Sequence, residues 1–219
     1  MASSVWTSLP ALFDDKEFRA FENIIKLDNQ NFMIQPSKQL STFNTKNNEW
    51  NHLNIHHLDH VSRIAYDSKC KQIYTAIDGK LKTVNSNQKS YPFAEYLSSK
   101  IHYSAVIVIN SVCHIIGGDH GKNDFNSHYM WDCNNSSSIS NSPKHIHTFN
   151  DIKGTFSSFG LIHAQKRGEL FLLGGFDNGR DRFKWRMNTI YKYEIMKETW
   201  TTLDIALPHK MNKFGCVIT

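Results

Sequence analysis

The sequence predicts an all-β chain built from repeated units of short strands, and the clearest unit is the stretch from Gly168 to Thr219. An apolar run, Leu170–Leu173, stops at the pair Gly174–Gly175. Two further runs, at 190–193 and 200–203, are rich in β-branched and aromatic residues and are separated by polar segments. Short runs of this kind, bounded by turn residues, are typical of β-strands. Earlier parts of the chain repeat the same order imperfectly, which predicts several copies of one unit.

This unit resembles a kelch repeat, which forms one four-stranded blade of a β-propeller. The marks of that family are an apolar strand ending in Gly-Gly, a Tyr downstream and a Trp soon after it, here Gly174–Gly175, Tyr193 and Trp200. Another Gly-Gly pair, Gly117–Gly118, lies 57 positions earlier, close to the family period of about 50 residues. The resemblance implies an all-β, kelch-type β-propeller with about four blades and a partial one, in a ring that is expected to be incomplete.

Matching each segment to this unit gives the expected blade boundaries. The blades cover roughly residues 23–54, 60–93, 103–149 and 155–207, and residues 213–219 start the next one. In the first blade Phe43 precedes Trp50 by seven positions, as Tyr193 precedes Trp200. Residues 1–22 form a separate N-terminal segment, in which Trp6–Leu9 has the spacing of a blade's closing strand.

Two of the expected blades depart from the pattern. The second has Ile77-Asp78 where the Gly-Gly pair is expected, and the third carries an Asn/Ser-rich stretch at 134–142 that is predicted to be a flexible insert. The closing strand of the third blade is expected near His145 to Phe149. Because four blades and a part do not obviously close a ring, the chain is expected to be a fragment or a truncated product. An open propeller exposes an apolar face and a strand edge, which predicts low solubility for these 219 residues alone.

Composition excludes several classes of protein. The net charge is only +5 and no long Lys/Arg block is present, so a nucleic-acid partner is not expected. No apolar run approaches the roughly 18 residues of a membrane span, and the N-terminus lacks the pattern of a signal peptide. Cys70, Cys113, Cys133 and Cys216 are widely spaced and are expected to be reduced thiols. A cytoplasmic location follows as the default, with the nucleus left open.

The segment 176–186 is the richest candidate for partner binding. It is predicted to be a loop between the second and third strands of the fourth blade, and its candidate contact residues are Arg180, Arg182, Phe183, Lys184, Trp185 and Arg186. Arg and Trp are enriched in binding hot spots, and loops on a rigid scaffold often carry function. The alternative is an ordinary long loop whose aromatic residues pack on a neighbouring blade.

The corresponding loop of the third blade adds the candidates Asp119, His120 and Asp124. The two loops are expected on the same face of the propeller, one blade apart, where they would form one continuous patch. The acidic residues of this loop also complement Arg180 and Arg182, so mutual pairing of the two loops remains the alternative.

The sequence contains no recognised catalytic or metal-binding motif. Its 12 histidines include a cluster with Asp59 at His56, His57 and His60, and a second pair at His145 and His147. Neither group has a known zinc-ligand spacing, so both are expected to be solvated histidines in loops, with no metal and no cofactor. A nucleophile elbow, a Walker loop and an H-E-x-x-H motif are all absent from the sequence.

The function implied by the resemblance is that of a non-catalytic module for protein–protein interaction, which presents inter-strand loops on one face of a propeller to a partner of unknown identity. Because fold does not fix function, two alternatives stay open. One is a propeller enzyme, or a binder of small molecules or carbohydrates, with a site at the central channel. The other is a degenerate copy that has lost its function.

Overall fold

The structure is a computed structural model that describes residues 24–34, 40–53, 63–67, 72–77, 80–83, 90–92, 104–118, 126–133, 143–150, 155–178 and 185–211. Within these ranges the chain forms eighteen β-strands, one 3-10 helix at Gln165–Arg167 and no α-helix. Every strand pair is antiparallel. The expected all-β class is therefore confirmed. Among the described residues, no helix is long and apolar enough to cross a bilayer.

The first sheet is a meander of four strands in chain order. Its strands are β1 (Ile24–Lys26), β2 (Asn31–Ile34), β3 (Leu40–Asn44) and β4 (Glu49–Leu53). Asn44 shapes the turn before β4, because its side-chain oxygen accepts the backbone N–H groups of Lys46 at 2.9 Å and Asn47 at 3.1 Å. Asn48 then adopts a positive φ of 60°, which Asn tolerates better than most residues.

The second and third sheets repeat the same four-stranded order. The second contains β5 (Arg63–Asp67), β6 (Gln72–Ile77), β7 (Lys80–Thr83) and β8 (Ser90–Pro92). The third contains β9 (Ala105–Ile109), β10 (Val112–Ile116), β11 (Ser127–Asp132) and β12 (Lys144–Thr148). A tight turn joins β9 to β10, because Asn110 and Ser111 both have positive φ.

The fourth sheet is larger than the others. It contains β13 (Thr155–Ser157), β14 (Gly160–Ala164), β15 (Glu169–Leu173), β16 (Phe176–Asn178), β17 (Trp185–Glu194) and β18 (Thr199–Met211). Strands β14, β15, β17 and β18 form a meander like those of the other sheets, and β13 and β16 extend the sheet beside the start of β17.

Successive sheets share three apolar clusters. Met33 and Leu40 of the first sheet meet Ile64 of the second. Ala65 and Tyr74 of the second sheet lie in a cluster with residues of the third, including Val106, Val108, Ile115 and Trp131. Since neighbours along a strand point to opposite faces, Ile64 and Ala65 place the second sheet between the first and the third.

The third and fourth sheets share the largest cluster. Its fully or nearly buried members are Ala105, Ile116, Phe149, Phe156, Phe159, Leu170, Leu172, Tyr191 and Tyr193. The rings pack edge to face, with the centroids of Phe149 and Phe156 5.2 Å apart and those of Phe156 and Tyr191 5.6 Å apart.

A polar contact also links the second sheet to the third. The side chain of Asp67, at the end of β5, is buried. Its Oδ2 accepts the backbone N–H of Ser111 at 3.0 Å and the Ser111 hydroxyl at 3.2 Å. The tight turn of the third sheet is thereby fixed against the neighbouring sheet, and the carboxylate is satisfied.

The structure corrects the expected elements of the fourth sheet in two respects. Burial along β15 alternates, with Leu170 and Leu172 fully buried and Phe171 and Leu173 only partly so, although the uninterrupted apolar run Leu170–Leu173 is the pattern of a strand covered on both faces. On its other face, β15 has a charged neighbour, because Lys192 of β17 lies opposite Phe171. Sequence runs alone do not show which face a neighbouring sheet covers.

The second correction concerns strand lengths. The predicted strands at 190–193 and 200–203 are parts of β17 and β18, which have 10 and 13 residues. Pro208 lies inside β18 rather than ending it, which an edge strand permits because proline lacks only an N–H group. Likewise, His145 and His147 lie on β12 and not in a loop.

Candidate functional site

Both Gly-Gly pairs turn the chain at the end of a buried strand. Gly117 follows β10 with a φ of 57°, and Gly174 follows β15 with a φ of 63°. The Gly117 N–H donates to the Ser127 carbonyl at 2.9 Å, and the Gly174 N–H donates to the Thr189 carbonyl at 3.0 Å. Positive φ is strained for residues with a Cβ, so glycine is favoured at both turns.

The second glycine of each pair contacts a later part of the chain. The Gly118 N–H donates to the Phe156 carbonyl at 2.6 Å, and the Gly175 N–H donates to the Met211 carbonyl at 2.8 Å. A Cβ atom on Gly117 would collide with the same Phe156 carbonyl oxygen. Close approach of the backbone is therefore a second reason for these glycines, in addition to their positive φ angles.

The two Gly-Gly pairs meet at one short segment, 156–159. Gly118 binds the Phe156 carbonyl from one side. From the other, a Cβ atom on Gly175 would lie 2.9 Å from Phe159 Cβ and 3.0 Å from the Ser157 carbonyl oxygen. We call the four glycines and residues 156–159 the glycine rim. Gly118, the residue before the candidate loop 119–125, therefore bonds to Phe156, and Asp177, two residues before the candidate loop 179–184, is the cross-strand partner of the same Phe156.

Most candidate contact residues of these loops lie outside the described residues: Asp119, His120, Asp124, Arg180, Arg182, Phe183 and Lys184. The structure does place Trp185 and Arg186, which begin β17 opposite Asp177 and Phe176. The segment 176–186 is therefore strand at both ends, and the loop predicted there is shorter than the sequence indicated. The Arg186 side chain is exposed.

Asp177 is the polar side chain nearest the base of the second loop. It lies on β16, opposite Phe156 on one side and Trp185 on the other. Its Oδ1 is buried and accepts no hydrogen bond in the part of the chain that the structure describes. Buried carboxylate oxygens are normally satisfied, so this oxygen is an exception among the described residues next to the rim.

The aromatic motif residues lie at the end of the fourth sheet away from the rim. Tyr193 and Trp200 are direct cross-strand partners with ring centroids 5.0 Å apart, and Phe43 and Trp50 are the equivalent pair in the first sheet at 4.6 Å. In both sheets a four-residue turn separates the two rings. Burial raises the pKa of the Tyr193 hydroxyl to about 12, and that hydroxyl donates to the Met130 sulfur at 3.4 Å.

A chain of hydrogen bonds crosses from the fourth sheet to the third. Trp200 Nε1 donates to His128 Nδ1 at 3.2 Å, and His128 Nε2 lies 3.1 Å from His114 Nδ1. Indole N–H is only a donor, so Nδ1 of His128 must be unprotonated and its proton must be on Nε2. That proton is donated to His114, whose own proton is then on Nε2. We call Trp200, His128 and His114 the relay.

Both relay histidines are neutral at physiological pH. Burial is the largest cause, and it lowers the pKa of His114 to about 4 and that of His128 to about 2. Nearby imidazoles lower them further, namely that of His163 for His114 and those of His114, His147 and His145 for His128. Burial also lowers the pKa of His163.

The relay does not fit a metal centre. A metal-bound histidine normally keeps a proton on its second ring nitrogen, which donates to an acceptor. The second nitrogen of His128 instead faces the Trp200 N–H, so that metal binding through Nε2 would require an imidazolate. Among the described residues, no group of three or more His, Cys, Asp or Glu side chains could hold a metal ion.

Sequence analysis singled out other histidines and missed this pair. His56, His57 and His60 lie outside the described residues, whereas His114 and His128 are fixed on β10 and β11. The available signal was a lone histidine within the apolar run Val112–Ile116, since a polar residue in a buried strand needs a partner.

Two buried thiols lie in the cluster between the second and third sheets. Cys113 and Cys133 are both free cysteines, and a hydrogen bond to Cys133 together with burial raises the pKa of the Cys113 thiol. Such thiols are poor nucleophiles, because the thiolate is the reactive form. Cys70 and Cys216 lie outside the described residues.

Comparisons with known proteins add no assignment. No model of a known protein family matches the chain, and no curated protein matches it. The kelch resemblance therefore stays a prediction from the motif residues.

Proposed function

We propose that this chain is a kelch-type β-propeller module in the cytoplasm that binds a protein partner through the glycine rim and its two loops, without catalysis. The observation that carries the proposal is the convergence of both Gly-Gly pairs on residues 156–159. Loops that start side by side on a rigid sheet assembly offer one continuous binding surface.

The stacking of the sheets supports a propeller. Three of the four sheets are four-stranded meanders in chain order, and the fourth contains the same meander. The second sheet contributes Ile64 to one apolar cluster and Ala65 to the next, so its two faces are covered by different neighbours. Blades of a propeller pack face to face in this way.

Equivalent hydrogen bonds support the repeat. The Gly118–Phe156 bond and the Gly175–Met211 bond join the same positions of two successive units, because Met211 follows Phe156 by 55 residues and Gly175 follows Gly118 by 57. Met211 thus occupies the place at which a further unit would start. By the same spacing, Phe214 corresponds to Phe159.

The chemistry of the rim supports binding rather than mere packing. Arg186 is exposed at the start of β17, and Asp177 Oδ1 is an unsatisfied acceptor two positions after Gly175. The other buried oxygen of this kind among the described residues, Glu169 Oε2, lies at the opposite end of the fourth sheet, beside Lys192. Next to the rim, the described residues therefore include an exposed cationic side chain and a buried carboxylate oxygen without a hydrogen bond.

The test is affinity capture from source cells followed by mass spectrometry. The baits are the whole chain and a loop variant with Arg180, Arg182, Phe183 and Trp185 changed to Ala. We expect to capture a protein that binds the whole chain, that the loop variant does not capture, and that binds the purified chain directly with a measurable dissociation constant.

A matched control removes charge and apolar surface at the opposite end of the fourth sheet. Lys166, Arg167 and Met196 are exposed there, and Met196 is 93% exposed. The variant Lys166→Ala/Arg167→Ala/Met196→Ala is expected to keep the partner. If the control loses the partner as well, or if no protein binds the folded chain, the rim is not the site and a small-molecule screen against the channel becomes the next experiment.

A further inference from the structure

We propose that the relay of Trp200, His128 and His114 is an acid-released latch, which holds the third sheet against the fourth and thereby regulates the spacing of the two Gly-Gly pairs at the rim. The latch itself is defined by the described residues. Its biological consequence rests on the proposed function of the rim.

The relay depends on the protonation of two histidine nitrogens. Each hydrogen bond needs an unprotonated Nδ1 on a histidine, that of His128 for the Trp200 N–H and that of His114 for the His128 N–H. A proton added to His128 places two N–H donors against each other at 3.2 Å, and a proton added to His114 does the same at 3.1 Å. One proton therefore breaks one bond of the relay and replaces it with repulsion.

The surroundings do not compensate the added charge. The imidazoles of His163 on β14 and of His145 and His147 on β12 act against protonation of the pair. Tyr193 on β17 packs edge to face on His128 at 4.9 Å and stays protonated. Among the described residues, the carboxylate that favours a charged His114 is Glu198, which is exposed and already ion-paired with Lys144.

The position of the relay makes its loss an event between sheets. His114 and His128 belong to the third sheet, and Trp200 belongs to the fourth. The Trp200 ring also packs on Phe149 at 5.1 Å and on His128 at 5.7 Å, within the apolar cluster shared by the two sheets. Breaking the relay therefore loosens this interface before it affects the hydrogen bonds within either sheet.

The His128 end of the relay is also adjacent to the rim. His128 directly follows Ser127, whose carbonyl accepts the Gly117 N–H, and His128 is the cross-strand partner of Ile116. Gly118 in turn binds Phe156 of the fourth sheet. Ser127 thus connects His128 to Gly117, which lies two residues before the loop at 119–125.

The first test is a long-range ¹H–¹⁵N spectrum of the histidine side chains of the whole chain. The variants His114→Gln and His128→Gln assign the signals. At pH 7.5 we expect both imidazoles to be neutral with the proton on Nε2. A proton on Nδ1 of His128 would overturn the proposal.

The second test follows amide hydrogen exchange at pH 7.5 and 5.5, corrected for the intrinsic exchange rates. We expect protection in β11 and β18 to fall at least about tenfold at pH 5.5. One relay histidine that takes up a proton when the interface opens, with a pKa of about 6.5 in the open state, favours opening by about this factor one pH unit below that value. Protection in β3 and β4 should change less. In the His114→Gln/His128→Gln variant, whose amides donate and accept but do not titrate, the fall should disappear.

Two further variants make the test decisive. His52→Gln changes a histidine that bonds to Ser41 in the first sheet, and it should leave the fall in protection unchanged. If the double variant does not fold, Trp200→Phe removes the indole donor, and low protection of β11 is then expected already at pH 7.5. An unchanged fall in either relay variant contradicts the latch. None of these readouts needs a partner, so failure of the latch and failure of the rim proposal are distinguishable.

Discussion

The interface between the first and second sheets differs from the interface between the third and fourth in both size and chemistry. In the described residues, the first contains three fully buried side chains, Met33, Leu40 and Ile64, all of them aliphatic. The second contains nine buried residues, five of them aromatic, and it adds the polar relay. Aromatic rings and hydrogen bonds require defined directions, whereas aliphatic side chains tolerate many arrangements.

This difference implies that the chain fixes the relative position of its third and fourth sheets more strictly than that of its first two. These are also the sheets whose Gly-Gly pairs form the rim. A binding surface made from loops on two sheets needs such a fixed spacing, since a misplaced contact loses affinity. Matched substitutions in the two interfaces test this difference.

The largest expected effect is that of Phe156→Ala. Phe156 is fully buried, and its ring lies 4.4 Å from that of Phe159 and 5.2 Å from that of Phe149. Removal of the ring should lower the free energy of unfolding by about 4 kcal/mol, against about 3 kcal/mol for Met33→Ala in the first sheet. Urea denaturation measures both. A greater loss for Met33→Ala would reverse the comparison between the two interfaces.

The next effect is the loss of stability in acid. Histidines whose pKa is lowered on folding stabilise the protein fully above their unfolded pKa of about 6.5, and this contribution is lost as the pH falls towards the folded values. For His114 and His128 those are about 4 and about 2. At pH 5.5, proton uptake by these two histidines on unfolding should lower the free energy of unfolding by about 3 kcal/mol relative to pH 7.5.

Urea denaturation at pH 7.5 and 5.5 measures this loss, with the His114→Gln/His128→Gln variant as the reference that lacks the relay imidazoles. His52 bonds to Ser41 in the first sheet and serves as the control. If His52→Gln abolishes the acid loss and the relay variant does not, the acid sensitivity belongs to the other interface.

Alanine substitution at Gly117 and at Gly168 separates the cost of a positive φ from the cost of crowding around the new Cβ atom. Gly117 has a φ of 57° and touches Phe156, whereas Gly168 has a φ of 64° and nothing within 4 Å of its Cβ position. Gly168→Ala should therefore cost about 1 kcal/mol for the positive φ alone, and Gly117→Ala about 2 kcal/mol or more. Thermal or urea unfolding of the two variants gives the difference, and equal losses would show that the rim is not crowded.

How much of this could be predicted from sequence depends on the range of each interaction. The apolar run Leu170–Leu173 was expected to be a strand from its local pattern, and it lies in β15. The equivalent turns before Trp50 and Trp200 also follow from one repeated spacing. Local signals suffice wherever adjacent residues decide the structure.

The rim and the relay could not be predicted in the same way. The Gly118–Phe156 and Trp200–His128 contacts join residues 38 and 72 positions apart, and they depend on how two twisted sheets stack. The pairing of β16 with both β13 and β17 likewise comes from the three-dimensional arrangement, since Asp177-Asn178 resembles a turn in sequence. Sequence patterns place side chains on a strand but not against a neighbouring sheet.

The smallest effect compares the two equivalent turns. Asn48 and Glu198 lie two positions before Trp50 and Trp200 and have φ angles of 60° and 51°. Because Asn tolerates this conformation and Glu does not, Glu198→Gly should stabilise the chain by about 0.5–1 kcal/mol and Asn48→Gly by only a few tenths. Glu198→Gly also removes an exposed ion pair with Lys144, worth less than about 1 kcal/mol. Repeating the urea denaturation in a Lys144→Ala background removes that contribution, and a destabilising Glu198→Gly in this background would contradict the strain assigned to the turn.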